Sequence, residues 1–117
     1  MKQFSFKKKF RLLNKNQYKN VFRNSYVVRF QEILIFGHKN DRKYSRLGIS
    51  ISKKNIKKSY KRNYLKRIIR EFFRMNKEKF FRMDFVVCIK KQFSQTNKIF
   101  LKKLEFLWFK YFLKKRK

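Results

Sequence analysis

The sequence predicts an α+β sandwich, in which elements follow in the order α, β, β, β, α, β, α and helices cover one face of a mostly antiparallel four-stranded sheet. Three observations carry this. β-branched and aromatic runs occur at 26–30, 32–37, 47–52 and 84–90, too short for helices. Two longer stretches, 61–74 and 97–112, repeat apolar residues at three- and four-residue spacing. No repeat, Gly/Ser/Pro linker or composition break divides the chain, so residues 1–117 read as a single domain with short basic tails at about 1–10 and 114–117.

The elements follow from local chemistry. Asn14 can cap free backbone amides and Gln17, three residues on, can complete a capping box, so a short helix starts there with Tyr18, Val21 and Phe22 on one face. The polar run HKNDRKYSR separates the second strand from LGISIS and places His38 in a loop. Ser59 is the expected cap of the next helix, and Asn97 or Thr96 starts the last, whose Phe100, Leu104, Trp108, Tyr111 and Phe112 form an apolar stripe.

Lys and Arg total 36 against 6 Asp and Glu, a formal charge of +30. A chain carrying that charge repels itself unless a polyanion neutralises it, and nucleic acid offers the densest and most regular charge. The absence of Ala and Pro beside abundant Lys, Asn, Ile and Phe points to an AT-rich genome, so the arrangement of charge is more informative than its sum. Cys88 stands alone, which excludes an internal disulfide and a cysteine-cluster zinc site and fits a reducing cytosol. No signal-peptide or membrane-spanning run is visible, and a cytoplasmic location with no membrane partner is expected.

The helix KRNYLKRIIREFFR segregates its charge. At about 100° per residue from Arg62, the residues Tyr64, Ile68, Phe72, Leu65 and Ile69 fall between about 200° and 340°, the core arc. Lys66, Arg70, Asn63, Arg74 and Arg67 fall between about 40° and 140° and join Arg62 in a cationic arc, interrupted only by Phe73 near its edge. A solvated face normally mixes signs, because like charges four apart cost about 0.2–0.5 kcal/mol each. Here the arc contains no carboxylate, and Arg presents a planar fork that matches phosphate oxygens. Most of the sixteen Phe must be core. Tyr18 and Phe22 are candidates to stack on bases, since they lie on a short helix in a protein expected to bind nucleic acid.

Catalytic chemistry is not visible in the chain itself. Glu32, Asp41, Glu71, Glu78, Asp84 and Glu105 are scattered, whereas metal-assisted phosphodiester cleavage needs converging carboxylates. His38 reads as a solvated loop residue and Cys88 as a small core hydrophobe. Neither catalytic nor metal-ligating residues are assigned. The chain reads as a binding module.

The segment RLGISISKK followed by RNYLKRIIRE, residues 46–54 and 62–71, closely resembles the signature of the bacterial ribonuclease P protein subunit, whose pattern is RxGxxVxKK and then RNRxKRxxRE. The resemblance extends to FRLL at 10–13 with Tyr18 and Phe22, to MDFVV with Lys90 and Lys91, and to 104–108, covering nearly the whole chain. It implies a βαβ crossover through the RNR helix. It also implies a ribonucleoprotein endonuclease, a hydrolase that removes the 5′ leader of precursor tRNA in tRNA processing. In that family the RNA subunit holds Mg²⁺ and cleaves, and the protein binds that RNA and the leader, broadens substrate use and supports metal binding by the RNA. One protein per RNA is expected, with no cofactor bound by the protein alone. By position, Arg62, Asn63, Lys66, Arg67 and Arg70 match the residues that contact the RNA subunit. Tyr18 and Phe22 match the leader cleft, and Arg11, Arg46, Lys53 and Lys54 match further basic positions. The sequence departs at Tyr64, which stands where the motif has Arg. The alternative, a small basic ribosomal or RNA-chaperone protein, lacks the RNR motif.

Overall fold

The capping box at Asn14 forms as its spacing predicts. In the computed structural model, which describes residues 8–23, 25–90 and 97–113, the Gln17 N–H donates to Asn14 Oδ1 at 3.0 Å. Gln17 Oε1 in turn accepts from the N–H groups of Leu13 and Asn14. Helix α1 then runs over Lys15–Arg23. A turn of 3-10 helix, Lys8–Phe10, precedes it.

The strands are β1 (Tyr26–Phe30), β2 (Ile33–Lys39), β3 (Arg46–Ile51) and β4 (Met83–Ile89), and the longer helices are α2 (Ser59–Asn76) and α3 (Asn97–Phe112). The sheet order is β1-β2-β4-β3, antiparallel except for the β3/β4 pair. Helix α2 is therefore the crossover of a βαβ unit. Gln31, at φ 54°, makes the tight β1–β2 turn, and its carbonyl accepts from Arg29 Nε at 3.1 Å. His38 lies inside β2 rather than in a loop, directly across from Asp84 on β4. Ser59 is the first residue of α2, not its cap: Lys58 is the extended N-cap residue, and its side chain caps nothing. Thr96 lies outside the described residues.

Every residue of β4 is buried, because both faces of the sheet are covered. On one face, Val28, Ile33, Ile35, Leu47, Phe85, Val87 and Ile89 pack beneath α2 and α3. Trp108 is the centre of that layer, stacked on Phe80 at 5.3 Å and 3° and on Phe73 at 5.8 Å and 29°. On the other face, Val86 and Cys88 pack with Leu12 and Val21, flanked by half-buried Tyr18, Leu34 and Phe36. The expectation that helices cover only one face is thus corrected: α1 also has an apolar stripe to bury, and β2 and β4 present apolar side chains to both sides.

The core arc of α2 is rotated from the sequence expectation. Leu65, Ile69, Phe72 and Phe73 are buried and Tyr64 is exposed. Phe73 therefore belongs to the core, drawn in by the Trp108 and Phe85 rings, and does not interrupt an exposed arc. No helix among the described residues is long and apolar enough to cross a membrane.

Candidate nucleic-acid interface

The cationic arc begins where β3 and β4 end. Because those strands are parallel, their C-terminal ends lie side by side, and the loop from β3 into α2 leaves from there. That loop is held by specific bonds. Asn55 Nδ2 donates to the Ile89 carbonyl at 2.9 Å, Asn55 N–H to Ser52 Oγ at 3.2 Å, and Ile56 inserts into the core. Lys53 and Lys54 project from this turn and are exposed, as is Lys90 at the end of β4.

Arg62 has a positioning role here, since its Nη1 donates to the carbonyls of Ile56 at 2.8 Å and Lys57 at 2.9 Å. The remaining arc residues follow on the outer side of α2. Asn63, Arg67 and Arg70 are exposed and Lys66 is half-buried beside them. None of Arg62, Lys66, Arg67 and Arg70 is ion-paired to a described carboxylate. The first turn of α2 also contains no acidic residue and no side-chain cap, while Lys57, Lys58 and Lys61 surround it. A helix N-terminus already carries a partial positive charge, so these lysines add to a repulsion that an anion would relieve.

The aromatic candidates occupy the opposite face of the sheet and have different surroundings. The Tyr18 hydroxyl accepts the Ile49 N–H at 3.2 Å, an outward-pointing donor on edge strand β3. Its ring lies so close to Gly48 that a Cβ there would be 2.7 Å from Tyr18 Cε2. The glycine of the sequence motif is thus explained by close approach of α1 to the sheet. Phe22 is 42% exposed and meets Phe36 edge to face at 4.9 Å. Beside it the strand register sets Val27 next to Phe36, then Arg29, Leu34, Cys88 and Ser50 in a row across the sheet. Exposed Val27 and Ser50 and half-buried Leu34 leave this strip beside α1 accessible. Burial raises the Cys88 thiol above its ordinary range, with nearby Lys90 and Ser50 opposing the shift.

Two basic candidates are placed differently. Arg11 is exposed and bridges the free edge of β3, where the next residue, Leu12, donates its N–H to the Leu47 carbonyl at 2.9 Å. Arg46 does not join the exposed set. It is buried, its Nε and Nη2 forking onto Asp84 at 2.9 Å and 2.6 Å, and Asn40 Nδ2 also donates to Asp84 at 2.7 Å. The hydrogen bond to Asp84 raises the Arg46 pKa beyond its already high value. This guanidinium locks the N-terminal ends of β3 and β4 together. Among the described residues, no three His, Cys, Asp or Glu gather where they could hold a metal ion.

The family model described as Ribonuclease P matches residues 6–111. The chain belongs to the ribonuclease P protein family. Among relatives, it is 44% identical to the ribonuclease P protein component of Buchnera aphidicola subsp. Baizongia pistaciae, over 96% of this chain and 99% of that one. It is 36% identical to the component from Haemophilus influenzae, over 92% of each. Among solved structures it is similar to the RNase P protein of Staphylococcus aureus, with a TM-score of 0.78 and 25% identity over 84% of this chain and 91% of that one. It is also similar to that of Thermotoga maritima, with a TM-score of 0.62 and 30% identity over 81% and 80%. Membership places the motif residues in a family context, in which Tyr64 is exposed on α2 and free of any core role.

Proposed function

We propose that the chain binds the RNA subunit of ribonuclease P through the α2 arc, with Asn63, Lys66, Arg67 and Arg70 facing RNA and Arg62 fixing the loop that presents Lys53 and Lys54. The accessible strip beside α1, bounded by Phe22, takes the single-stranded 5′ leader of precursor tRNA. Cleavage is the work of the RNA subunit and its Mg²⁺, and the protein contributes positioning, with one protein per RNA in the cytoplasm. Tyr18 supports the strip by holding α1 to β3, and Arg46 supports the sheet without touching RNA. The observation that carries the reading is the segregation itself. On one side lies an arc whose Lys66, Arg67 and Arg70 pair with no described carboxylate, and on the other a half-exposed ring above an accessible strip.

Base stacking on an aromatic ring contributes about 1–3 kcal/mol per base. The expected result for Phe22→Ala is therefore a loss of roughly tenfold or more in affinity of the reconstituted holoenzyme for precursor tRNA, with mature tRNA unaffected. Equal losses on the two substrates would remove Phe22 from the leader path. Tyr18→Phe serves as the comparison, since it retains the ring and gives up only the hydrogen bond to Ile49.

A further inference from the structure

We propose that Lys9, Lys43, Lys77 and Arg82 form a second RNA phosphate site, at the far end of α2 from the Lys53–Lys54 turn. The proposal rests on the RNA-binding reading above and carries it to residues outside the motif. Four separate segments converge there: the 3-10 turn before α1, the β2–β3 loop, the turn after α2 and the residue before β4. Together they line a hollow of about 470 Å³ that also includes Phe10, Tyr44 and Glu78. Four cations thus face one carboxylate. None of the four is ion-paired to a described residue.

Two rings organise the charge. Phe10 and Tyr44 meet edge to face with centroids 5.3 Å apart. Lys9 Nζ lies 5.1 Å from the Phe10 centroid and 5.2 Å from that of Tyr44, and Lys77 Nζ lies 4.7 Å from Phe10. An ammonium over a ring face is attracted by the ring quadrupole, by about 0.5–1 kcal/mol at an exposed site, so the rings bias both side chains toward the hollow before any ligand arrives. Preorganisation of this kind lowers the cost of binding. The carbonyl end of α2 holds the Lys77 ammonium in place but does not itself attract an anion, so the attraction for phosphate comes from the four side chains. With both rings engaged by ammonium groups, the hollow suits a phosphate rather than a stacked base.

The location extends the arc. Continuing the helical count, Lys77 falls at about 60°, within the angular range of Lys66, Arg70 and Arg74 and about 22 Å along the axis from Arg62. An RNA backbone that follows the arc is led into the hollow. The RNA subunit and precursor tRNA offer the same phosphodiester chemistry, and the test separates them.

Binding of the full-length Lys9→Gln/Lys77→Gln variant is measured across a salt series, once with the RNA subunit and once with precursor tRNA. The expected result is a salt slope shallower by about 0.7–0.9 per phosphate no longer neutralised, seen with one of the two RNAs, which identifies the source. Lys66→Gln/Arg70→Gln is the parallel control. An unchanged slope with both RNAs, while the control lowers it, overturns the second site and leaves the α2 reading standing. Unchanged slopes for both variants remove the RNA-phosphate reading and this proposal with it. Phe10→Leu keeps every charge and removes the platform, so it is expected to weaken binding severalfold at constant slope; wild-type affinity would contradict the role given to the rings.

Discussion

The two faces of the sheet are built to different standards. One is closed by the 18-residue α2 and the 16-residue α3 over a layer in which Trp108, Phe73, Phe80 and Phe85 are wholly buried. The other is covered by the nine-residue α1, whose small cluster of Leu12, Val21, Val86 and Cys88 is rimmed by half-buried and exposed apolar residues. Packing of this kind decides where a fold opens. The first face supplies stability, which allows the second to keep Phe22 and Val27 in solvent. α2 joins the two roles: its inner arc belongs to the closed face, and its outer arc carries Lys66, Arg67 and Arg70 without described carboxylate partners.

The contrast between the faces breaks most readily at Trp108. Trp108→Ala is expected to cost about 3–5 kcal/mol in urea unfolding, as removal of a large ring from a closed core does. Phe22→Ala should change stability far less, and equal costs would mean that the faces do not differ as described. Gly48→Ala comes next, at about 1–3 kcal/mol, because its Cβ meets Tyr18 within 2.7 Å. Adding Tyr18→Ala should make the two changes strongly non-additive in a double-mutant cycle, whereas simple additivity would deny that the two side chains touch. The smallest effect belongs to Cys88. Its thiol is raised by burial, so folding favours the protonated form; its contribution is complete below the ordinary thiol range and is lost as pH rises from there through the raised value of the folded protein. Stability should therefore be flat from this group near neutrality, and alkylation of the folded protein at pH ~8 should be much slower than in urea. Fast labelling without denaturant would show the second face to be open down to β4.

Element order and the capping box were legible because both depend on residues close in sequence: Asn14 and Gln17 are one turn apart, and β4 is apolar almost throughout. Long-range partners were not. Arg46 reads as one more exposed cation until Asp84, 38 residues away, is brought beside it. Phe73 reads as the edge of the cationic arc until the rings of α3 and β4 pull the buried centre of α2 toward it. The hollow around Lys9 and Lys77 has no linear signature, since its cations come from four segments that meet only in the folded chain. The α2 arc was legible because a helix turns its own sequence into a surface.

Phosphate binding by that arc is the central claim. Its direct test is the salt dependence of RNA-subunit binding by Lys66→Gln/Arg70→Gln, with thermal melts showing an intact fold. The expected outcome is unchanged or slightly higher stability, as like charges four apart are removed, and a slope of log K against log salt reduced by about 0.7–0.9 for each phosphate no longer neutralised. A wild-type slope in a folded variant would contradict it.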